Sequence, residues 1–197
     1  MKPILFNTEM VRAIIDARKT QTRRVIKYHG IYHRDRHTAV YPSNNMGFLC
    51  VDFFDKDGFW SGWAKPPYQT GDILYVRETW KYAMGYTADG LLDTYVYKAD
   101  GKASELMVED NWRPSIHMPR EAARIFLRVT DLRVERLQDI SGEDVRREGC
   151  ILREWFENLW DRVIKKPDLD KYGWDANPWV WVIEFEQISK EGAYDQR

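Results

Sequence analysis

Only two cysteines, Cys50 and Cys150, occur in the 197 residues, and they form no CxxC pattern. That argues against a disulfide framework and gives no sign of a zinc ribbon. No apolar run approaches the roughly 18 residues of a membrane-crossing helix. The opening Met1-Lys2-Pro3-Ile4-Leu5-Phe6-Asn7 is too short in its apolar part for a signal peptide. Neither sign of charge predominates: 30 basic residues face 31 acidic ones, for a net charge of −1, so the chain is no overall polycation. Also missing are GxGxxG, a phosphate-cradling Gly-Lys-Ser/Thr, HExxH and a nucleophile elbow, which disfavours nucleoside-triphosphate hydrolysis and dinucleotide redox chemistry. These absences set the expectation of a reduced, cytoplasmic protein of one domain over residues 1–197, off the membrane and without a cofactor.

What is present is locally uneven. Residues 18 to 37 carry Arg18, Lys19, Arg23, Arg24, Lys27, Arg34 and Arg36 against Asp35 alone, with His29, His33 and His37 in the same stretch. Nucleic-acid binding needs local positive potential, not a positive total; a solvated basic face is the plainer reading. The chain also holds nine Trp, eleven Tyr and eight Phe. Aromatics fill cores, but they also stack on exposed bases for about 1–3 kcal/mol each. The three histidines repeat every four residues, yet Gly30 interrupts the stretch and no carboxylate or cysteine completes a ligand set, so no metal site is assigned.

Along the chain, Asn7 or Thr8 caps a first helix whose apolar face is Met10, Val11, Ile14 and Ile15. It stops near Arg18 or Lys19, because Thr20, Thr22 and Val25 are β-branched, and Arg23 to Lys27 reads as a strand. Residues 28–69 show little periodicity apart from an apolar run at Phe48 to Phe54, and read as an insertion or long functional loop. Ile73 to Trp80 and Tyr95 to Lys98 read as strands. Apolar alternation at Ile125, Leu127 and Val129 shifts phase at Leu132 and Val134, which predicts a β-bulge or a tight bend between two strands near Thr130-Asp131. Ser141-x-x-Asp144 opens a short helix that Gly149 closes. Leu152, Trp155, Phe156, Leu159, Trp160 and Val163 mark the most periodic helix, and Trp179 to Glu186 a half-buried closing strand. The sum is an α+β chain of about six mostly antiparallel strands and three helices, a set able to close into a small barrel.

Two constellations carry chemistry. Lys19 lies three residues before Thr22 at the first helix exit, which would put an amine base within reach of a hydroxyl nucleophile. Such a lysine must be largely neutral near pH 7, about 3 units below its usual value near 10.4 and costing about 4 kcal/mol. The helix C-terminus opposes that, whereas Arg18, Arg23 and Arg24 favour it by like-charge repulsion. The plainer reading is a helix-end lysine beside a strand threonine. Glu148 sits at a helix end facing the negative pole of its dipole, a poor place for stability alone, so it is a candidate proton donor; a solvated glutamate beside Arg146 and Arg147 is the alternative. Trp112 to Arg120, with His117 at its centre, reads as a recognition loop or as a turn before the next strand.

The stretch Ala17-Arg18-Lys19-Thr20-Gln21-Thr22-Arg23-Arg24 resembles the signature of ASCH-domain proteins, relatives of the PUA fold. Further pieces resemble the phage- and prophage-encoded branch of that family. They are Lys2-Pro3-Ile4-Leu5-Phe6, Gly71-Asp72 before Val76-Arg77-Glu78-Thr79-Trp80, Tyr97-Lys98-Ala99-Asp100, Trp112 to Arg120, Asp139-Ile140-Ser141 leading to Glu148-Gly149, Trp160 and Asn177-Pro178-Trp179-Val180. The resemblance implies a PUA-like pseudo-barrel of five or six strands with about three flanking helices, binding RNA or modified bases. A small bacterial member of the family hydrolyses N4-acetylcytidine with a lysine, a threonine and a glutamate, and these fall on Lys19, Thr22 and Glu148. This chain is about twice as long as that enzyme and richer in tryptophan.

Two readings of function follow. In the first, the chain recognises a modified pyrimidine nucleoside or base and hydrolyses an N-acyl cytidine-type amide. Lys19 is then the general base, Thr22 the nucleophile and Glu148 the proton donor. Arg23, Arg24 and Lys98 orient the substrate, Trp80 or Trp112 stacks on the base, and His117 and Arg120 belong to the recognition loop. In the second, the chain is a non-catalytic module for RNA or DNA, with ribonuclease activity ranked behind both.

Overall fold

The computed structural model describes residues 1–27, 37–43, 50–55, 57–87, 90–101 and 111–195. His29, His33, Arg34 and Arg36 of the basic stretch therefore lie outside the described residues. The chain is α+β. Its strands are β1 (Lys2–Leu5), β2 (Gln21–Val25), β3 (His37–Ser43), β4 (Cys50–Asp55), β5 (Trp60–Ala64), β6 (Ile73–Arg77), β7 (Trp80–Thr87), β8 (Gly90–Tyr97), β9 (Phe126–Arg136) and β10 (Trp179–Ile188). Its helices are α1 (Thr8–Ile15), α2 (Gly142–Arg147), α3 (Arg153–Val163), α4 (Leu169–Tyr172) and α5 (Lys190–Tyr194), more than the three expected.

The described strands form three sheets: one of five strands in the order β1-β6-β9-β10-β2, one of three, β3-β4-β5, and the hairpin β7-β8. Pairing is mostly antiparallel, with β1 and β6 parallel. The five-stranded sheet ends at β1 and β2 and does not close, which corrects the expectation of a barrel of five or six strands. The three-stranded sheet is the second correction. It occupies residues read as a long loop, where glycines and prolines masked short pairing segments such as the buried Cys50-Val51 step of β4.

Contacts divide the chain into two compact units. The first comprises Met1–Thr20, Gly71–Val129 and Phe185–Arg197; the second comprises Gln21–Thr70 and Thr130–Glu184. The core of the first gathers Ile73, Trp80, Met118, Phe126 and three alanines, with Tyr75, Tyr95, Tyr97 and Ile188 packed against them. The core of the second gathers Leu137, Ile140, Val145, Phe156, Trp160, Val180 and Val182, with Val25, Ile164 and Trp174 against them. Of the two readings of the phase slip at Thr130-Asp131, a β-bulge or a tight bend between two strands, the bend is not found. Strand β9 runs unbroken through it, the pair itself exposed, at the residue where one unit gives way to the other. Along β10 both alternations are buried from Val180 to Ile183, so this strand is covered on both faces there instead of being half-buried.

Helix α1 forms where its caps predict. The Asn7 side chain accepts from the Met10 N–H at 2.8 Å, and Val11, Ala13 and Ile14 face inward. It stops earlier than expected, at Asp16, because Ala17 takes a left-handed conformation with φ of 55°. That turn lets the N–H groups of Arg18 and Lys19 both donate to the Ala13 carbonyl, at 2.8 and 2.9 Å, and so aims the chain into β2. An alanine in this region costs roughly 1–2 kcal/mol, and glycine recovers it less about 0.5–1 kcal/mol of backbone entropy. Ala17→Gly is thus expected to raise stability by about 0.5–1 kcal/mol in urea titration; a loss of stability would show that the left-handed turn carries no strain.

Candidate functional site

The site is built on β2 in the second unit. This strand lies at the end of the five-stranded sheet, paired on one side only, with Thr22 opposite Ile183, Arg23 opposite Val182 and Arg24 opposite Trp181. Alternation sends Thr22 and Arg24 to one face and Arg23 to the other. Thr22 is fully buried, and its hydroxyl accepts from Arg24 Nη1 at 3.0 Å. Burial pulls the Arg24 guanidinium below its ordinary value, while Glu148 and Tyr68 pull it back up.

Arg23, on the opposite face, is a fully buried cation. Its Nη2 lies 2.9 Å from Glu135 Oε2 and 3.3 Å from Asp144 Oδ2, and its Nη1 lies 3.2 Å from Glu148 Oε1. Arg133 shares two of these partners, Glu135 and Asp144, and also pairs with Glu184. The result is a network of alternating charge in which each buried carboxylate faces a guanidinium, the only arrangement that makes such burial tolerable.

Glu148 is delivered by α2. Ser141 and Asp144 form the expected capping box. The helix ends at Glu148, whose N–H donates to the Asp144 carbonyl at 2.8 Å. Gly149 then turns left-handed, with φ of 86°, and Cys150 closes back on Val145 at 3.0 Å. The carboxylate faces the wrong end of the helix dipole, but it is 5% exposed and paired with Arg23, which supplies the compensation a solvated glutamate would take from water. Thr22 and Glu148 are thus held by consecutive arginines that leave β2 on opposite faces, Arg24 and Arg23. No hydrogen bond joins them directly among the described residues; Arg24 donates to the first and is coupled through its charge to the second.

The other residues singled out from sequence lie in the first unit. Lys19 is 2% exposed at the exit of α1, its ammonium nitrogen 5.7 Å from the Phe6 ring centre. Trp80 is buried in the core against Tyr95, with the Arg113 guanidinium 5.3 Å from its ring, so it packs instead of offering a free face. Trp112 is half-buried beneath Lys81, whose nitrogen lies 5.1 Å from the ring. Lys98 is exposed, and its carbonyl accepts from Arg12 at 3.4 Å. His117 and Arg120 are exposed on the 112–120 loop, with Arg120 5.7 Å from the Tyr194 ring. That loop is pinned by backbone hydrogen bonds between Trp80 and Arg113 and by Arg77 donating to the Met118 carbonyl at 2.9 Å.

Sequence reasoning missed two clusters. One is the carboxylate set Glu135, Asp144 and Glu184 around Arg23 and Arg133; an arginine on the inward face of a strand is the signal that could have called for them. The other, in the first unit, is the Glu78–Arg124–Asp100 set. Arg124 forks onto Glu78 at 2.9 and 3.0 Å, reaches Asp100 at 2.8 Å and lies 3.9 Å from the Tyr97 ring centre. Burial pushes the Tyr97 hydroxyl up to about 12 and raises the Glu78 carboxyl, against the pull of Arg124. Among the described residues no group of three or more His, Cys, Asp or Glu is arranged to hold a metal ion. Comparison with protein-family models, curated proteins and solved structures returns no match.

Two predictions follow from the network. Arg23→Ala removes the fully buried cation that Glu135, Asp144 and Glu148 share, which is expected to cost about 3–5 kcal/mol in urea titration; Arg146→Ala, removing an exposed pair, is expected to change stability by less than about 0.5 kcal/mol. A cost at Arg23 no larger than at Arg146 would mean that the network is not formed. For Asp144, burial raises the carboxyl, but the Ser141 hydrogen bonds and the Arg23 charge outweigh it and hold it below its ordinary value. Its contribution is therefore complete above the unfolded value of about 4 and is lost as pH falls through the folded value. The stability difference between wild type and Asp144→Asn should shrink as pH drops from 6 to 3; a constant difference would contradict this sign.

Proposed function

We propose that this chain is an ASCH-like protein with a PUA-like arrangement, recognising a modified pyrimidine nucleoside or base and hydrolysing its N-acyl amide. Thr22 attacks the acyl carbon as its hydroxyl proton passes to a base, the role that the ASCH resemblance assigns to Lys19. The C–N bond then breaks, Glu148 protonates the departing exocyclic amine, and water releases the acyl group from Thr22. Arg24, already donating to the Thr22 hydroxyl oxygen, stabilises negative charge as it develops there. The observation that carries this reading is a fully buried Thr22 hydroxyl that accepts from the Arg24 guanidinium, whose charge is coupled to that of the buried Glu148.

Incubation with N4-acylated cytidines, free and within RNA or DNA, tests the proposal by release of cytidine. Lys19→Ala, Thr22→Ala and Glu148→Gln are each expected to lose about 10²–10⁴-fold in turnover. Absence of product from the wild type, or full turnover in Thr22→Ala, ends it.

A second reading, a non-catalytic RNA- or DNA-binding module, is favoured by the half-buried tryptophan of the 112–120 loop with a cation over it, where Lys81 lies over Trp112. It requires affinity for single strands that falls steeply with salt and survives Thr22→Ala; undetectable binding removes it.

A further inference from the structure

In the second unit, strands β4 and β5 bury Val51, Phe53 and Ala64 on one face and carry Asp52, Phe54, Trp60 and Trp63 on the other. Asp52 stands opposite Trp63, and Phe54 opposite Trp60. Trp60 and Trp63 are three residues apart and would leave a regular strand on opposite faces. They share one because the register slips: Phe53 faces Gly62 and Phe54 faces Trp60, which makes Ser61 the extra residue of a bulge. The Ser61 hydroxyl donates to the Phe53 carbonyl at 3.0 Å, and Gly62 takes a φ of 154°. The bulge turns Trp60 onto the outer face, where its indole N–H donates to Asp52 Oδ1 at 3.1 Å.

Asp52 is half-buried, and the Trp60 indole is its one partner among the described residues. In the same unit the half-buried Glu135 and Glu184 both face the Arg133 guanidinium. A carboxylate set among aromatic rings without a cation is complementary to one, and the ring faces attract the same charge. The surroundings agree. From Cys50 to Ala64 the sequence holds three aspartates and one lysine, so phosphates and anionic lipid are repelled. Trp60 is 53% exposed, and Phe59 at the turn beside Asp55 and Asp57 is 71% exposed. The strip from Trp63 to Phe59 runs roughly 12 Å, longer than one small ion and suited to a stretch of chain. We propose that the outer face of β4 and β5 binds a basic peptide segment. Asp52 pairs with a lysine or arginine side chain of that segment, and Trp60 and Trp63 lie against the side chain.

Nuclear magnetic resonance titration of the full chain tests this with end-blocked peptides carrying arginines, lysines or uncharged citrullines. The readouts are the backbone amides of β4 and β5 and the Trp60 indole N–H, assigned by its loss in Trp60→Phe. The arginine and lysine peptides are expected to shift these resonances and to saturate with a Kd of about 1 mM or below, and the citrulline peptide to leave them in place. Asp52→Asn keeps an oxygen that accepts from Trp60 and removes only the charge, so binding weakens at least tenfold. Trp60→Ala, at an exposed position, weakens it as much. Resonances unmoved by the charged peptides, equal shifts with citrulline, or undiminished affinity in either variant would overturn the proposal. So would tetramethylammonium binding as tightly as the peptides.

Discussion

A guanidinium with no access to water, facing three carboxylates, governs the second unit of this protein. Arg23 leaves β2 toward the inside of its unit, where an unpaired cation would be intolerable, and Glu135, Asp144 and Glu148 come from β9 and α2 to meet it. Each partner then needs its own support: the capping box turns Asp144 inward, Arg133 braces Glu135, and the left-handed Gly149 stops α2 where Glu148 can reach. The same strand, through its opposite face, holds the Thr22 hydroxyl against Arg24. A pairing that reads as structural thus also fixes where an acid and a hydroxyl stand.

The first unit solves a similar problem differently. Glu78 is buried, but its partner Arg124 is partly open to water and lies on the Tyr97 ring, so the charge is spread over Glu78, Asp100 and an aromatic face. Segments that drew attention by their motif-like composition, Val76 to Trp80 and Tyr97 to Asp100, meet here through Glu78, Tyr97 and Asp100. Their residue types are accounted for by packing: Trp80 fills the core, and Tyr97 donates to the Ala122 carbonyl at 2.6 Å.

Much of the fold was legible wherever one physical period dominated. The Asn7 cap, the Ser141-x-x-Asp144 box, the Gly149 stop and the apolar repeat of α3 each depend on residues within one or two turns, and each formed. The elements misread depended on distant partners. Strand β2 begins at Gln21 because Glu184 of β10 pairs with it, and β10 is buried on both faces because other elements cover it. Sheet β3-β4-β5 follows from pairing between segments that glycine and proline disguise as loop. At the site, Lys19, Thr22 and Glu148 were marked by chemistry and by resemblance. The carboxylates around Arg23 were invisible because no spacing rule links position 23 to positions 135 and 144.

The most direct test of the central claim is mass spectrometry of the protein quenched in acid within moments of mixing with N4-acetylcytidine. The account predicts one transient acetyl group, mapped by peptide analysis to Thr22 and absent from Thr22→Ala. An unmodified protein across the whole time course, or an acetyl group that maps to another residue, would contradict it.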